Sequence, residues 1–220
     1  MFVRDQMSTP AITVKPDMPF QDALRLMQEK RFRRLPVIEN NKLVGIVAER
    51  DLMYASPSPA TSLSVWEMNY MLSKIKVGRL MTSEVITTTP DTTIEDAAHL
   101  MVIKRVGGLP VVDENNYPIG MITETDIFKT LVDMFSGGSP GLRLTMTVPR
   151  GKGVLARMSQ AIFEMGGDIL SVGAYHLPDP KQDGLVMKIQ EVSKDQIIDT
   201  LEALGDQVID AREVEAGPRW

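Results

Sequence analysis

The stretch LPVIENNKLVGIVAERD, residues 35–51, recurs as LPVVDENNYPIGMITETD, residues 109–126. The repeat extends upstream at a constant spacing of 74 positions, and one inserted residue in the second copy then changes the spacing to 75. The matched pairs are Met7 and Met81, Pro16 and Pro90, Met27 and Met101, Pro36 and Pro110, Gly45 and Gly120, and Asp51 and Asp126. Two copies of one supersecondary unit usually pack together, because neither buries its apolar face alone. The duplication therefore predicts two related clefts.

Each copy predicts the same order of elements: an extended segment, a helix, a β-hairpin and the start of a second helix. In the first copy the β-branched residues Ile12, Thr13 and Val14 predict the extended segment, which stops at Pro16. Two apolar runs separated by a polar turn predict each hairpin. The first helix carries apolar side chains at helical spacing, at Phe20, Ala23, Leu24 and Met27 in the first copy and Ile94, Ala97, Ala98 and Met101 in the second.

Local signals place the ends of these helices. Pro19 suits a first helical position, where a missing N–H costs nothing. Thr92 with Glu95 three residues later predicts a capping box in the second copy. The second helix of each copy begins near Asp51 or Asp126, and an apolar stripe follows the latter at Ile127, Leu131 and Met134.

Composition shifts divide the chain into residues 1–60, 61–77, 78–135, 136–141 and 142–220. Residues 61–77 predict a connecting helix that either covers the core or forms a dimer contact. The sequence SGGSPG, residues 136–141, predicts a flexible linker. After it the strand and helix patterns follow the order βαββαβ, which predicts a ferredoxin-like sandwich and an α+β fold overall.

Bulk properties restrict the classes of function. The net charge of −5 gives no global attraction to nucleic acid or to an anionic membrane surface. The chain contains no run of about 18 apolar residues, and residues 1–10 lack a secretory signal, so the sequence predicts a cytoplasmic protein. Zero cysteines and two distant histidines, His99 and His176, argue against a metal centre. No nucleophile with a base and no catalytic residues are visible, so the sequence predicts that the protein is not an enzyme.

Thr123 and Asp126 stand at the junction of a predicted strand and helix, in GMITETD. A Thr hydroxyl there can donate to a phosphate, and the start of a helix favours an anion. Asp126 could accept from both hydroxyls of a ribose. The alternative is a plain helix cap. The duplication favours binding, because Gly45 and Asp51 hold the corresponding places in GIVAERD.

Residues 1–135 resemble a tandem pair of cystathionine β-synthase (CBS) domains, also called a Bateman module. The motifs LPVI, LPVV, GIVAERD and GMITETD carry the resemblance in both copies. The resemblance implies a regulator that binds AMP, ADP, ATP or a related adenosyl compound, either alone or together with Mg²⁺. It implies no resident cofactor. By position, Asp126 would hold the ribose and Thr123 the phosphate. The base pocket would be formed by Ile86, Thr87, Leu109 and Pro110, with Thr13 and Pro36 as the first-copy equivalents.

The first copy departs from this pattern at two places. Ala48 replaces Thr123, so we expect the site around Asp51 to be weaker or differently selective. Arg33 and Arg34 replace Gly107 and Gly108. Guanidinium groups suit phosphate, and we assign this role to Arg34; the alternative is a solvated basic helix end. The strongest predicted site is the one closed by Thr123 and Asp126.

Residues 142–220 resemble an ACT domain, a small regulatory module that often binds amino acids at a dimer interface. The stretch VPRGKGVLARMSQAIFEMGGDI, residues 148–169, carries this resemblance. It implies an effector pocket that includes Arg150, Gly151, Gly153 and Asp168. Arg150 replaces a frequent acidic residue and Asp168 a frequent Asn, so a dimerisation module without ligand is the alternative.

A CBS pair followed by an ACT domain resembles the acetoin utilisation protein B-like family, which implies a role in acetoin or related carbon metabolism by analogy alone. The leading hypothesis is a homodimeric regulator of an unknown target protein that senses adenine nucleotides. Two alternatives stay open at this point: an enzyme that hydrolyses the bound nucleotide, and a structural adaptor with vestigial sites.

Overall fold

The computed structural model describes residues 1–55 and 74–217. Most of the predicted connecting helix, residues 61–77, lies outside these ranges. The chain forms two compact units, Met1–Phe128 and Lys129–Trp220. Both contain helices and strands, in agreement with the predicted α+β class.

The first unit contains the two copies of the repeat. Its elements are α1 (Val3–Gln6), α2 (Phe20–Lys30), β1 (Arg34–Glu39), β2 (Lys42–Ala48), α3 (Glu49–Tyr54), a 3-10 turn (Val77–Arg79), α4 (Ile94–Lys104), β3 (Gly108–Val112), β4 (Pro118–Thr123) and the beginning of α5 (Glu124–Met134). The hairpins pair β1 with β2 and β3 with β4, both antiparallel, as predicted.

The predicted extended segments are present, but each makes only one residue of parallel pairing. Val14 N–H donates to Pro36 O at 3.0 Å, and Ile38 N–H donates to Val14 O at 2.9 Å. In the second copy Thr88 makes the same two bonds, with Pro110 and Val112, at 3.0 Å each. Each hairpin therefore gains a one-residue parallel bridge along β1 or β3, and both sheets stay two-stranded.

Helices α2 and α4 bury the predicted face. Phe20, Ala23 and Met27 are buried in the first copy, and Ile94, Ala97 and Met101 in the second. The cap of α4 lies one residue later than predicted: Thr93 is the N-cap, and its hydroxyl accepts from Asp96 N–H at 3.1 Å. The apolar stripe of α5 is buried only in part, because Leu131 and Met134 are exposed in the described structure.

The two copies exchange the segments that precede them. Ser8, from the first copy, pairs with Met121 of β4 through bonds of 2.9 and 3.0 Å. Thr82, its equivalent, pairs with Ile46 of β2 through two bonds of 2.9 Å. Val3 accordingly lies in the core of the second copy, and Val77 lies in the core of the first. Each copy is completed by the other.

The second unit has the predicted βαββαβ order. After the end of α5, its elements are β5 (Gly141–Pro149), α6 (Val154–Glu164), β6 (Asp168–His176), β7 (Gln182–Gln190), α7 (Lys194–Ala203) and β8 (Gln207–Val214). The sheet order is β6-β7-β5-β8, and all neighbouring strands are antiparallel. Alternate residues of β5, with Met158 of α6 and Leu201 of α7, form the core. Leu155 of α6 is exposed.

Residues 136–141 were predicted to be a flexible linker, but they are anchored to the sheet of the second unit. Lys188 Nζ donates to the carbonyl oxygens of Ser136 at 2.9 Å and Ser139 at 2.7 Å. Ser136 Oγ donates to Leu170 O at 2.9 Å, and Gln190 Nε2 donates to Pro140 O at 2.6 Å. The Gly/Ser composition predicts flexibility, but these bonds fix the backbone. We call residues 136–140 the strap.

Candidate functional site

A cleft of about 200 Å³ opens at Asp51 in the first unit. Residues of both copies line it: Arg34, Ile46, Ala48, Arg50, Asp51, Thr82, Glu84, Val85, Ile86, Arg105, Val106, Gly107 and Gly108. The lining combines three guanidinium groups with two carboxylates. It is therefore a polar cleft with an excess of positive charge.

The cleft lies where β2 ends and α3 begins. Asp51 Oδ2 accepts from Ala48 N–H at 3.2 Å, which fixes the carboxylate at the first turn of the helix. The pairing of Thr82 with Ile46 brings residues 84–86 of the second copy alongside this turn. The exchanged segment thus forms one wall of the cleft, and the helix start forms the other.

Three arginines reach the cleft from different elements. Arg34 begins β1 and pairs in register with Ala48 at the end of β2. Arg50 lies in the first turn of α3. Arg105 ends α4 in the left-handed conformation, with φ 54°. Planar guanidinium groups that converge from separate elements suit an anion with several oxygens, such as phosphate.

Arg34 is the most buried of these arginines. It is half-buried, whereas Arg50 and Arg105 are exposed. Burial lowers the pKa of its guanidinium, the neighbouring Glu124 and Asp51 oppose this shift, and Arg33 and Arg50 add to it. An arginine keeps its proton under such a shift. The cleft therefore holds a partly desolvated positive charge, for which an anion would be a strong partner.

The structure brings three predicted site residues together, in a combination that differs from the prediction. Arg34, Asp51 and Ile86 all line the cleft. Ile86 was grouped with Asp126, but the exchange of the leading segments places it beside Asp51. The predicted base-pocket residue Leu109 is wholly buried in the core of the second copy, and Pro110 and its equivalent Pro36 are also buried. Leu109 is therefore a packing residue.

Two other predicted residues lie at intermediate depth in the extended segments. Thr13 and Thr87 are half-buried, each next to the single residue that pairs with a hairpin. Neither belongs to the lining of the Asp51 cleft.

Thr123 and Asp126 bond to each other at the start of α5. Asp126 Oδ2 accepts from Thr123 N–H at 2.9 Å and from Thr123 Oγ1–H at 2.7 Å. The hydroxyl proton predicted for a phosphate is thus donated to the carboxylate. Arg33 Nη2 donates to the hydroxyl of the neighbouring Thr125 at 3.3 Å. In this arrangement Thr123 and Asp126 form a helix cap.

Sequence reasoning missed Arg50, Glu84 and Arg105. The sequence contains a signal for Arg105, because Arg31 holds the equivalent place in the first copy. In the structure Arg31 also adopts a left-handed conformation, with φ 56°. Arg50 and Glu84 gave no such signal, since Thr125 and Pro10 replace them in the other copy.

In the second unit, the predicted effector residues do not form one pocket within a subunit. Arg150 follows the end of β5, where Pro149 pairs with Gln182, whereas Asp168 begins β6 opposite Gln190. Because β7 runs from Gln182 to Gln190, the two residues lie at opposite ends of a nine-residue strand, roughly 25 Å apart. Gly153 is the N-cap of α6, with φ 81°, and Gly151 has open space around it.

Arg150 is bound by other side chains. Its guanidinium donates to both oxygens of Asp183, at distances of 2.7 to 3.1 Å, and His176 Nδ1 lies 3.0 Å from Asp183 Oδ1. These contacts hold the pKa of Asp183 at about 2, mainly through the hydrogen bond from Arg150 and then through that from His176. His176 is the last residue of β6.

Residues 1–55 and 74–217 contain neither a membrane-spanning helix nor a cluster of metal ligands. No helix there is long and apolar enough to cross a membrane. In the same part of the chain, no group of three or more His, Asp or Glu side chains is arranged to hold a metal ion.

Solved structures of similar proteins cover about three fifths of the chain. The CBS domain pair of protein MJ0100, in complex with 5′-methylthioadenosine and S-adenosyl-L-methionine, is 26% identical with a TM-score of 0.51, covering 60% of this chain and 97% of that chain. CBSX2 in complex with AMP is 33% identical with a TM-score of 0.51, and the coverages are 60% and 97%. A candidate acetoin utilization protein (AcuB) from Vibrio cholerae is 26% identical with a TM-score of 0.51, and the coverages are 62% and 93%.

Proteins of similar sequence match about the same share of the chain. A CBS domain-containing protein of Dictyostelium discoideum is 31% identical over 141 residues, which are 64% of this chain and 97% of that protein. The CBS domain family matches residues 3–58 and 77–133, which together are more than half of the chain and correspond to the two copies of the repeat. The chain therefore belongs to the CBS domain family, and its first unit is a tandem CBS pair.

Proposed function

We propose that this protein is a non-catalytic regulator that binds an adenine nucleotide in the Asp51 cleft. The observation that carries the proposal is the half-buried guanidinium of Arg34 beside the carboxylate of Asp51. A carboxylate at the start of a helix suits the hydroxyls of a ribose, and a guanidinium suits a phosphate. The cleft thus offers both groups that a nucleotide requires.

The solved CBS pairs support an adenosyl ligand. One of them binds AMP, and another binds methylthioadenosine and S-adenosylmethionine. The excess of arginines in the present cleft favours the phosphorylated compounds, since a sulfonium cation would be repelled by the guanidinium groups. We therefore place AMP, ADP and ATP ahead of S-adenosylmethionine as ligands, with no resident cofactor.

The proposal assigns the main site to Asp51 and not to Asp126. Thr123 supports this choice, because its hydroxyl already donates to Asp126. Ala48 lacks the hydroxyl that Thr123 has in the other copy, and we assign phosphate binding in the Asp51 cleft to its arginines.

Isothermal titration calorimetry with AMP, ADP, ATP and S-adenosylmethionine tests this assignment. Asp51→Asn should weaken nucleotide binding by at least about tenfold, since it removes a charged acceptor of ribose hydroxyls. Asp126→Asn is the matched control in the other copy and should leave the tightest binding event intact. The assignment fails if Asp126→Asn removes that event and Asp51→Asn does not.

A second assay separates a regulator from an enzyme. The protein is incubated with ATP and Mg²⁺, and the solution is analysed for ADP, AMP and phosphate. If the protein is a regulator, ATP stays unchanged even at ATP concentrations that saturate the cleft. Hydrolysis of ATP that is abolished by Asp51→Asn would show instead that the protein is a nucleotide hydrolase.

For the second unit we propose an ACT-like role in homodimer formation. Its βαββαβ order and antiparallel β6-β7-β5-β8 sheet support this assignment. A role in acetoin or related carbon metabolism is supported by similarity to the Vibrio cholerae protein, and that similarity extends over 62% of the chain. Sedimentation velocity of the whole chain tests the dimer, which requires a species of twice the 24.4 kDa chain mass.

A further inference from the structure

Glu124, from the second copy, reaches the edge of the Asp51 cleft. It is the first residue of α5, and its backbone N–H donates to Gly107 O at 3.4 Å. A Cβ placed on Gly107 would lie 2.7 Å from Glu124 Oε2 and 2.6 Å from Arg34 Nη2. The carboxylate and the guanidinium therefore converge over the same glycine, in the space that a larger residue would fill.

The duplicated copy shows that this arrangement is not a general property of the repeat. Glu49 is the equivalent of Glu124, and its backbone N–H donates to Arg33 O at 2.9 Å. Arg33 takes the place of Gly107 in that copy. The first copy thus has a long basic side chain at the position where the second copy leaves room for two charged groups to meet.

Glu124 is the main compensating charge for Arg34. Among the carboxylates that raise the pKa of this guanidinium, Glu124 has the larger effect and Asp51 the smaller. Within the described residues, no carboxylate makes a close ion pair with Arg34. The guanidinium is thus partly neutralised by Glu124 but not fully paired with it, which leaves it able to exchange partners.

We infer that Glu124 competes with the anionic group of the ligand for Arg34. The inference rests on the proposed binding of a nucleotide in the Asp51 cleft. A phosphate that approaches Arg34 meets the carboxylate of Glu124 over Gly107, and the two negative groups repel each other. Binding of a phosphorylated ligand must therefore displace Glu124, whereas a neutral nucleoside can occupy the ribose site without doing so. Glu124 thereby sets how strongly the cleft prefers phosphorylated ligands.

The test compares the affinities for AMP and adenosine, measured by calorimetry on the full chain. In Glu124→Gln the preference for AMP over adenosine should rise by about threefold to tenfold, because a partly exposed like charge is removed from the phosphate. Glu114→Gln is the control, since it removes an exposed carboxylate of the same copy that does not line the cleft, and it should leave the preference unchanged. Circular dichroism checks that both variants fold.

A double-mutant cycle separates competition for Arg34 from a structural effect on α5. When Arg34→Met is also present, Glu124→Gln should no longer change the preference for AMP. An unchanged preference in Glu124→Gln, or a change that persists without Arg34, would overturn the competition while leaving nucleotide binding in place. If the wild-type protein binds neither AMP nor adenosine, both the inference and the proposed function fail.

Discussion

Met81 packs against Gly45 so closely that a Cβ on this glycine would collide with the methionine sulfur. Met7 approaches Gly120 in the same way: its sulfur would lie 2.8 Å from a Cβ there. Both pairs join one copy of the repeat to the other. The methionines and glycines that mark the duplication in the sequence are thus partners across the two copies.

Gly45→Ala should destabilise the first unit. The added methyl group overlaps the Met81 side chain at several atoms, and overpacking of this kind costs about 1 to 3 kcal/mol. Urea unfolding followed by circular dichroism measures the loss. In a Met81→Ala background the added cost of Gly45→Ala should largely disappear; a cost that remains in full would mean that the close approach is not its cause.

Lys188→Met should release the strap from the sheet of the second unit. Lys188 is only 5% exposed, and its ammonium group donates to two backbone carbonyl groups of the strap. Hydrogen bonds from a charged donor contribute about 1.5 to 3 kcal/mol, so the variant should lose roughly 2 kcal/mol or more of stability. Hydrogen exchange in the strap should become faster. The exposed Lys181→Met is the control, and equal exchange in both variants would contradict the anchoring role of Lys188.

Acid should weaken the cluster of Arg150, His176 and Asp183. The pKa of Asp183 is lowered from its ordinary 3.8 to about 2, so its stabilising effect is complete above about pH 4 and is lost as the pH falls towards 2. Thermal unfolding between pH 5 and pH 2 should show this loss in the wild type. Asp183→Asn should flatten that part of the pH dependence, whereas the exposed Asp199→Asn should retain it. A profile unaffected by Asp183→Asn would refute the assignment.

Arg157→Met should be costly, because it leaves the carboxylate of Asp206 buried without a cation. The side chain of Asp206 is 0% exposed, and Arg157 is its ion-pair partner. Removing one partner of a buried pair costs about 3 to 5 kcal/mol when the other partner cannot reach water. The exposed pair of Arg212 and Asp210 is the contrast, and Arg212→Met should leave the unfolding midpoint nearly unchanged.

The same variant should also change the pH dependence of stability. Burial raises the pKa of Asp206 even with Arg157 present, so the ionised carboxylate destabilises the folded state as the pH rises through that pKa. The loss of stability of Arg157→Met relative to the wild type should therefore be smaller in acid, where protonation of Asp206 removes the buried charge. A deficit that stays constant from pH 7 to pH 4 would show that lost packing, and not charge, is responsible.

Local patterns were enough to predict most of the fold. The apolar spacing of Phe20, Ala23 and Met27 is set by the helix itself, and the hairpins follow from a polar turn between apolar runs. Asn40 and Asn41 both take positive φ in the first of these turns, as their short polar side chains allow. Each of these signals depends on residues that are close together in the chain, so it can be recognised in a single sequence.

The site depended on long-range pairing, which a single sequence does not show. Ile86 reaches Asp51 only because Thr82 pairs with Ile46, and nothing near Ile86 in the chain indicates that exchange. The prediction instead grouped Ile86 with Asp126 of the same copy. The strap was predicted to be flexible for a related reason. Lys188, which anchors it, lies about 50 residues later in the chain, in β7.

Because the leading segments are exchanged, one copy of the repeat does not complete its own hairpin. Each copy contains a leading segment and a hairpin, but its leading segment pairs with the hairpin of the other copy. Without that other copy, nothing would cover the hairpin glycine, which is Gly45 in the first copy and Gly120 in the second. Two identical single copies could therefore assemble by trading these segments as separate polypeptides. Within one chain the two halves need not be identical, and Arg34 in the first copy indeed stands where Gly108 stands in the second.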